Sequence, residues 1–185
     1  MEAYTPSKSI RYLFSFFEFA KVALIFAIIL LVIYFIFVQI FIVDGLSMFP
    51  NFLDREFMLV DRASYFVRSP NRGEVIIFIF PGTRSSRFVK RIIGLPGEHV
   101  EVKNGKIYIN GKQLNEVNYL HVETLGNASY WLNDNEYFVL GDNREVSNDS
   151  RYWGPLDKGN IIGRAVSVIL PLADKKTVPT PAYNI

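Results

Sequence analysis

Ser47 stands in the turn sequence Asp44-Gly45-Leu46-Ser47-Met48-Phe49-Pro50, and Lys90 in the apolar run Phe88-Val89-Lys90-Arg91-Ile92-Ile93. A serine hydroxyl is a weak nucleophile until a neighbouring base takes its proton. The chain has no cysteine and two histidines, so lysine is the most economical base it can offer that serine. On a strand, Phe88, Lys90 and Ile92 share one face, and Val89, Arg91 and Ile93 share the other. A lysine between apolar same-face neighbours is a candidate for burial, and burial disfavours the ammonium and lowers its pKa. A fall from about 10.4 to about 7–8 costs roughly 4 kcal/mol and frees a neutral amine for general-base work. Gly45 permits close backbone approach and Pro50 fixes φ three residues on, so this turn can aim a hydroxyl. The same turn can expose backbone N–H groups as an oxyanion hole. Taken singly, Ser-Met-x-Pro also fits a membrane-exit turn, and Lys90 also fits a snorkelling surface lysine.

A third segment, Gly141 to Gly154, is dense in hydrogen-bonding side chains. It holds Asp142, Arg144, Ser147, Asp149 and Arg151. Loops of this composition are commonly turns, but this density of Asp and Arg also suits a buried network that braces a site, with Asp149 paired to Arg144 or Arg151. His99 and His121 are poor metal ligands by position, one at a strand start and one in a polar excursion. No motif supports a serine-histidine-aspartate triad, and neither a metal nor a cofactor is expected.

These residues need elements to position them. Val22 to Val43 is a run of 22 residues with no charge and one strongly polar side chain, Gln39. As a helix it is about 33 Å long, against a hydrocarbon core of about 30 Å. It is longer than the apolar part of a cleaved leader, and no small-x-small site follows it. An uncleaved membrane anchor is therefore expected over residues 22–43, behind a cytoplasmic or interfacial segment, 1–21. Lys8, Arg11 and Lys21 precede the span, and no Lys or Arg follows until Arg55. That asymmetry predicts the N-terminus inside and the rest outside. Tyr12, Phe14, Phe16, Phe17 and Phe19 suit an interfacial aromatic cluster or a longer helix.

Residues 44–173 read as one β domain. Short β-rich runs occur at 57–61, 75–80, 88–93, 99–103, 106–109, 137–140 and 161–170, separated by turn signals such as Pro70-Asn71-Arg72-Gly73. Asn104-Gly105 between alternating runs predicts a tight hairpin. Residues 115–135 form a polar excursion, and no helical period appears after residue 46. Residues 174–185, with two lysines and two prolines, suggest a flexible tail. The first 43 residues hold three basic and two acidic side chains of the 20 and 18 in the chain, which leaves the remainder near neutral and without a nucleic-acid signature. Absence of cysteine excludes disulfides, thiolate catalysis and cysteine-rich zinc sites.

Four blocks, in order, resemble bacterial type I signal peptidases, the membrane-bound Ser/Lys-dyad proteases of the S26 family. They are Asp44 to Pro50, Arg72-Gly73-Glu74-Val75-Ile76, Val89 to Glu98, and Gly141-Asp142-Asn143-Arg144 through Ser147, Asp149-Ser150-Arg151 and Trp153-Gly154. The resemblance implies a mostly antiparallel β catalytic domain of the signal-peptidase type, Ser47 as nucleophile and Lys90 as general base. It implies that Ser147 hydrogen-bonds and orients the lysine, and that Asp149 and Arg151 form a structural pair within a network with Asp142 and Arg144. Gly45 stands where some relatives place a serine hydroxyl in the oxyanion hole, so backbone donors are expected, chiefly that of Ser47. Glu145 and Val146 depart from the asparagines usual in that loop. The implied substrates are exported preproteins with small residues at −1 and −3, cleaved at the outer face of the cytoplasmic membrane. The alternatives are another Ser/Lys peptidase, of the conjugation-pilin type or LexA-like and self-cleaving, and a catalytically inactive anchored β scaffold. Met48, Phe49 and Phe52 suit either lipid contact or the core.

Overall fold

The computed structural model describes residues 8–83, 85–116, 120 and 123–185, and the chain divides between Phe37 and Val38 into two compact units. The first unit is a helix, α1 (Lys8–Phe37). It includes Phe14, Phe16, Phe17 and Phe19, so these aromatic residues lengthen the helix. The stretch Phe14–Val32 is long and apolar enough to cross a membrane, and none of it is buried.

The apolar run is not helical to its end. Residues 22–43 suggested one span, but the last part forms strand β1 (Val38–Ile42), paired antiparallel with β2 (Phe57–Asp61). Val38, Ile40 and Ile42 are β-branched at alternate positions, which suits a pleated strand. Hydrophobicity alone does not separate such a strand from the helix before it.

The second unit is mainly antiparallel β. β3 (Val75–Ile79), β4 (Arg87–Gly94), β9 (Glu136–Leu140), β10 (Leu156–Asp157), β11 (Ile161–Leu170) and β12 (Lys176–Thr177) join β1 and β2 in one sheet. Its order is β1-β2-β11-β3-β4-β9-β10, with β12 on β11. A smaller sheet, β7-β6-β5-β8, comprises β5 (His99–Lys103), β6 (Lys106–Ile109), β7 (Lys112–Gln113) and β8 (Ala128–Trp131). The β5–β6 hairpin turns at Asn104-Gly105, both with positive φ. β8 comes from the polar excursion. Among the described residues, two single-turn α-helices, α2 (Ser64–Val67) and α3 (Ser150–Trp153), interrupt the β pattern after residue 46. Each is too short to show a helical period.

Met48 and Phe52 lie in the core with Val43, Met58, Val60 and Val75. Of the three residues that fitted either lipid or core, only Phe49 is substantially exposed. The C-terminal segment is not a loose tail. Val178 N–H donates to Val166 O, Asn184 Nδ2 donates to Gln113 O, and Tyr183 packs on the core of the smaller sheet. Backbone hydrogen bonds and one aromatic anchor hold it, features that composition does not reveal.

Candidate active site

Ser47 sits in the turn that follows β1, and both ends of that turn are pinned. Val43 N–H donates to Glu56 O, and Arg55 N–H donates to Val43 O. Gly45 has φ 91°, a conformation that a side chain would strain, and its N–H donates to Asp54 Oδ1. From the other side, Asn143 N–H donates to the Ser47 carbonyl at 3.0 Å. The Ser47 N–H makes no hydrogen bond among the described residues.

Lys90 reaches this turn from β4. Its Nζ donates to Ser47 Oγ at 2.7 Å and to Val89 O at 3.0 Å. The side chain is 3% exposed and packs beside the Phe88 ring. Burial pulls the amine down to about 8, while the Asp149 and Asp142 carboxylates act in the opposite direction. Near pH 8 half of the lysines are neutral, and a neutral amine can accept the Ser47 proton through this same contact.

The surroundings form an open groove of about 440 Å³ that holds both residues. One wall is the turn after β1 and the other is the start of β4. β3 pairs with Arg87 to Arg91 of β4, but β9 pairs only from Arg91 onward. The second edge of residues 87–90 therefore has no strand partner among the described residues. This leaves room for an extended peptide beside it.

The loop after β9 closes the far end. Gly141 lies against Ser47 so tightly that a methyl group there would overlap the Ser47 carbonyl and the Ser147 side chain. Ser147 is buried, but its Oγ makes no hydrogen bond among the described residues. The expected Ser147–Lys90 hydrogen bond is thus not formed. Lys90 Nζ is directed by Ser47 and Val89 O, and Ser147 Oγ rests against Gly141.

The acidic and basic residues of the loop enter three ion pairs, two of them fully buried and the third, Arg144 with Glu116, partly exposed. Arg151 Nε donates to Asp149 Oδ1 at 2.8 Å, and Asp149 Oδ2 accepts the Gly141 N–H. Asp142 pairs with Arg91, through Nε at 2.8 Å and Nη2 at 2.7 Å, and it also accepts from Asn51 Nδ2. Arg144 does not pair with Asp149; it makes a bidentate pair with Glu116, touches Thr124 Oγ1 and donates through Nε to Gly141 O. Sequence reasoning missed Arg91, Asn51, Glu116 and Thr124. The one available signal was Arg91, next to Lys90 and on the opposite face of the strand.

His99 lies in the smaller sheet, stacked on Trp131 at 4.5 Å and in contact with Ser129 Oγ. His121 falls outside the described residues. Among the described residues, no cluster of His, Cys, Asp and Glu has the makings of a metal site.

The family model for signal peptidase, peptidase S26, matches residues 16–170. The probable signal peptidase I-2 of Synechocystis is 38% identical over 125 residues, or 64% of this chain and 57% of that protein. Signal peptidase IB of Staphylococcus aureus is 35% identical over 174 residues, or 84% of this chain and 90% of that protein. Among solved structures, a signal peptidase I of Enterococcus faecalis aligns at 32% identity over 53% of this chain and 97% of that one, with a TM-score of 0.46.

Proposed function

The chain belongs to the signal peptidase family, peptidase S26, and we propose that it is a membrane-anchored serine endopeptidase that removes signal peptides from exported preproteins with a Ser47/Lys90 dyad. The observation that carries the dyad is the 2.7 Å contact between Ser47 Oγ and a buried Lys90 Nζ. No other base need be invoked, because burial brings this amine within reach of neutrality.

The reaction is acyl transfer. Neutral Lys90 takes the Ser47 proton as Oγ bonds to the carbonyl carbon of the −1 residue. The carbonyl π pair becomes the oxyanion, within reach of the unpaired Ser47 N–H. Collapse breaks the peptide C–N bond, and the Lys90 ammonium gives its proton to the leaving amine. Lys90, neutral again, deprotonates water; attack on the ester releases the signal peptide as a carboxylic acid and restores Ser47.

The open edge of β4 suits a substrate bound as an added strand. Side chains alternate along such a strand, so −1 and −3 point the same way, into the groove beside Ser47. Small residues at −1 and −3 are the expected preference.

Membrane attachment rests on α1, whose large apolar side chains are exposed all round in the Phe14–Val32 stretch. Such a surface is stable in hydrocarbon and not in water. The basic residues Lys8, Arg11 and Lys21 before the span support an inside N-terminus and a β unit on the outer face. Protease added outside spheroplasts should then digest the β unit; protection until lysis would reverse this topology.

Cleavage of a model preprotein by the purified wild type, compared with Ser47→Ala, tests the reading directly. Cleavage after an Ala-x-Ala sequence by the wild type alone is expected. Equal cleavage by both proteins would remove Ser47 from the mechanism, and cleavage with phenylalanine at −1 as efficient as with alanine would remove the substrate class.

A further inference from the structure

A second depression of about 300 Å³ is bounded by Glu145, Val146, Asn148 and Tyr152, over Ser147. It shares Val146 and Asn148 with the groove that holds the dyad. The two spaces therefore border the same stretch of the loop after β9.

A substrate bound along the edge of β4 must turn away at the dyad. The open edge of β4 ends at Lys90, because β9 occupies that edge from Arg91 onward. A peptide lying along residues 87–90 cannot continue in line past the dyad. Ser47 stands at the closed end, and the 141–148 loop is held against it by the Asn143 N–H. If the signal-peptide side runs along the strand edge, as the proposed function has it, the residues after the scissile bond leave over positions 145–148.

The chemistry of that surface is specific. Val146 is 64% exposed and Tyr152 is 69% exposed, two apolar faces beside a catalytic groove. Glu145 is exposed and makes no ion pair among the described residues. Arg144 and Arg151, the nearest cations in sequence, are committed to Glu116 and Asp149. An uncompensated carboxylate between two apolar faces attracts cationic side chains, tolerates apolar ones and repels anionic ones.

We propose that the depression bounded by Glu145, Val146, Asn148 and Tyr152 receives the first two residues of the mature protein and selects basic or apolar side chains there over acidic ones. This inference rests on the signal-peptidase reading and adds a second determinant of cleavage to it.

The test uses the full chain in detergent micelles and peptides identical through Ala at −3 and −1. They differ only in Lys, Glu, Leu or Gln at the two positions after the scissile bond. The readout is the ratio of kcat/KM values within each protein, which cancels any change in overall rate or folded fraction. The wild type should favour Lys over Glu by roughly 2- to 5-fold at low salt, as expected for one exposed charge pair, with the ratio falling at high salt. Glu145→Lys should invert that ratio, and Val146→Asn should reduce the preference for Leu over Gln. A wild-type ratio near one, or a ratio unchanged in Glu145→Lys, would overturn the subsite while leaving the peptidase reading intact. Failure of the folded wild type to cut any of these peptides would overturn both.

Discussion

The Arg91 guanidinium and the Asp142 carboxylate meet at 2.7 Å with neither side chain exposed, one residue along the strand from Lys90. The pair ties three parts of the site together. Asp142 belongs to the loop after β9 and holds Asn51 of the nucleophile turn. Arg91 also donates to Gly73 O and to Pro179 O of the C-terminal segment. Removing one partner of a buried pair leaves an uncompensated charge, at a cost of about 3–5 kcal/mol. Asp142→Ala should therefore lose about that much stability in urea denaturation. A loss under about 1 kcal/mol would show that Arg91 is satisfied without Asp142.

Ser47→Ala should abolish cleavage without loss of fold, since the hydroxyl has one side-chain partner, Lys90. Lys90→Arg should be equally inactive, because a guanidinium stays protonated and cannot serve as a base. Activity assays beside thermal melts decide both. Measurable turnover by Lys90→Arg would require another base.

The pH dependence follows from Lys90. Its amine sits at about 8 in the fold, against 10.5 for an ordinary lysine. With chemistry rate-limiting, kcat/KM should rise through about pH 8 and level off above it. Stability should rise over the window from about 8 to 10.5, where the unfolded chain still holds a proton that the folded protein has lost. Below pH 8 the fold bears the full cost of a buried ammonium, about 3 kcal/mol from the gap between these two values. Lys90→Met should remove that slope. A pH-dependence of stability shared by wild type and Lys90→Met would contradict it.

Ser147→Ala separates a structural role from a functional one. The buried hydroxyl makes no hydrogen bond here, so its removal should leave the melting temperature unchanged or raised. If the hydroxyl turns to the lysine during turnover, kcat should fall by roughly 5- to 150-fold with residual activity, the worth of one oriented hydrogen bond of about 1–3 kcal/mol. Unchanged kcat would leave the lysine oriented by Ser47 and Val89 O without help from Ser147.

Gly141→Ala should be far more damaging than its size suggests. The added methyl overlaps backbone at Ser47 as well as the Ser147 side chain, and backbone cannot rotate away. Loss of activity with retained secondary structure is expected; activity near wild type would mean that the loop shifts at little cost.

The strands were legible because their signals are local. Phe57–Asp61, His99–Lys103 and Lys106–Ile109 are short β-rich runs between turn residues, and they form β2, β5 and β6 with those bounds. The burial of Lys90 was legible from Phe88 and Ile92 on its own face. The end of the apolar helix was not, because Val38 to Ile42 is as hydrophobic as the helix and becomes a strand only through pairing with β2. The partners of the loop were equally hidden. Asp142 finds Arg91 at a separation of 51 residues. Arg144 finds Glu116 at a separation of 28, out of an excursion whose sequence suggested nothing structural. Tertiary pairing chose among several candidates of the same charge, and spacing along the chain carries no record of that choice.

The short contact between Ser47 and Lys90 also makes the pair a single chemical target. Most lysines in a protein resist electrophiles at neutral pH because they are protonated, but one that titrates near 8 presents a free lone pair to any reagent small enough to enter the groove. With Oγ and Nζ only 2.7 Å apart, an ortho-formyl arylboronic acid could engage both at once, its boron closing on the serine oxygen while its aldehyde condenses with the amine. Each bond would hold the other in place, and the adduct would form selectively where a hydroxyl and an uncharged lysine share one site.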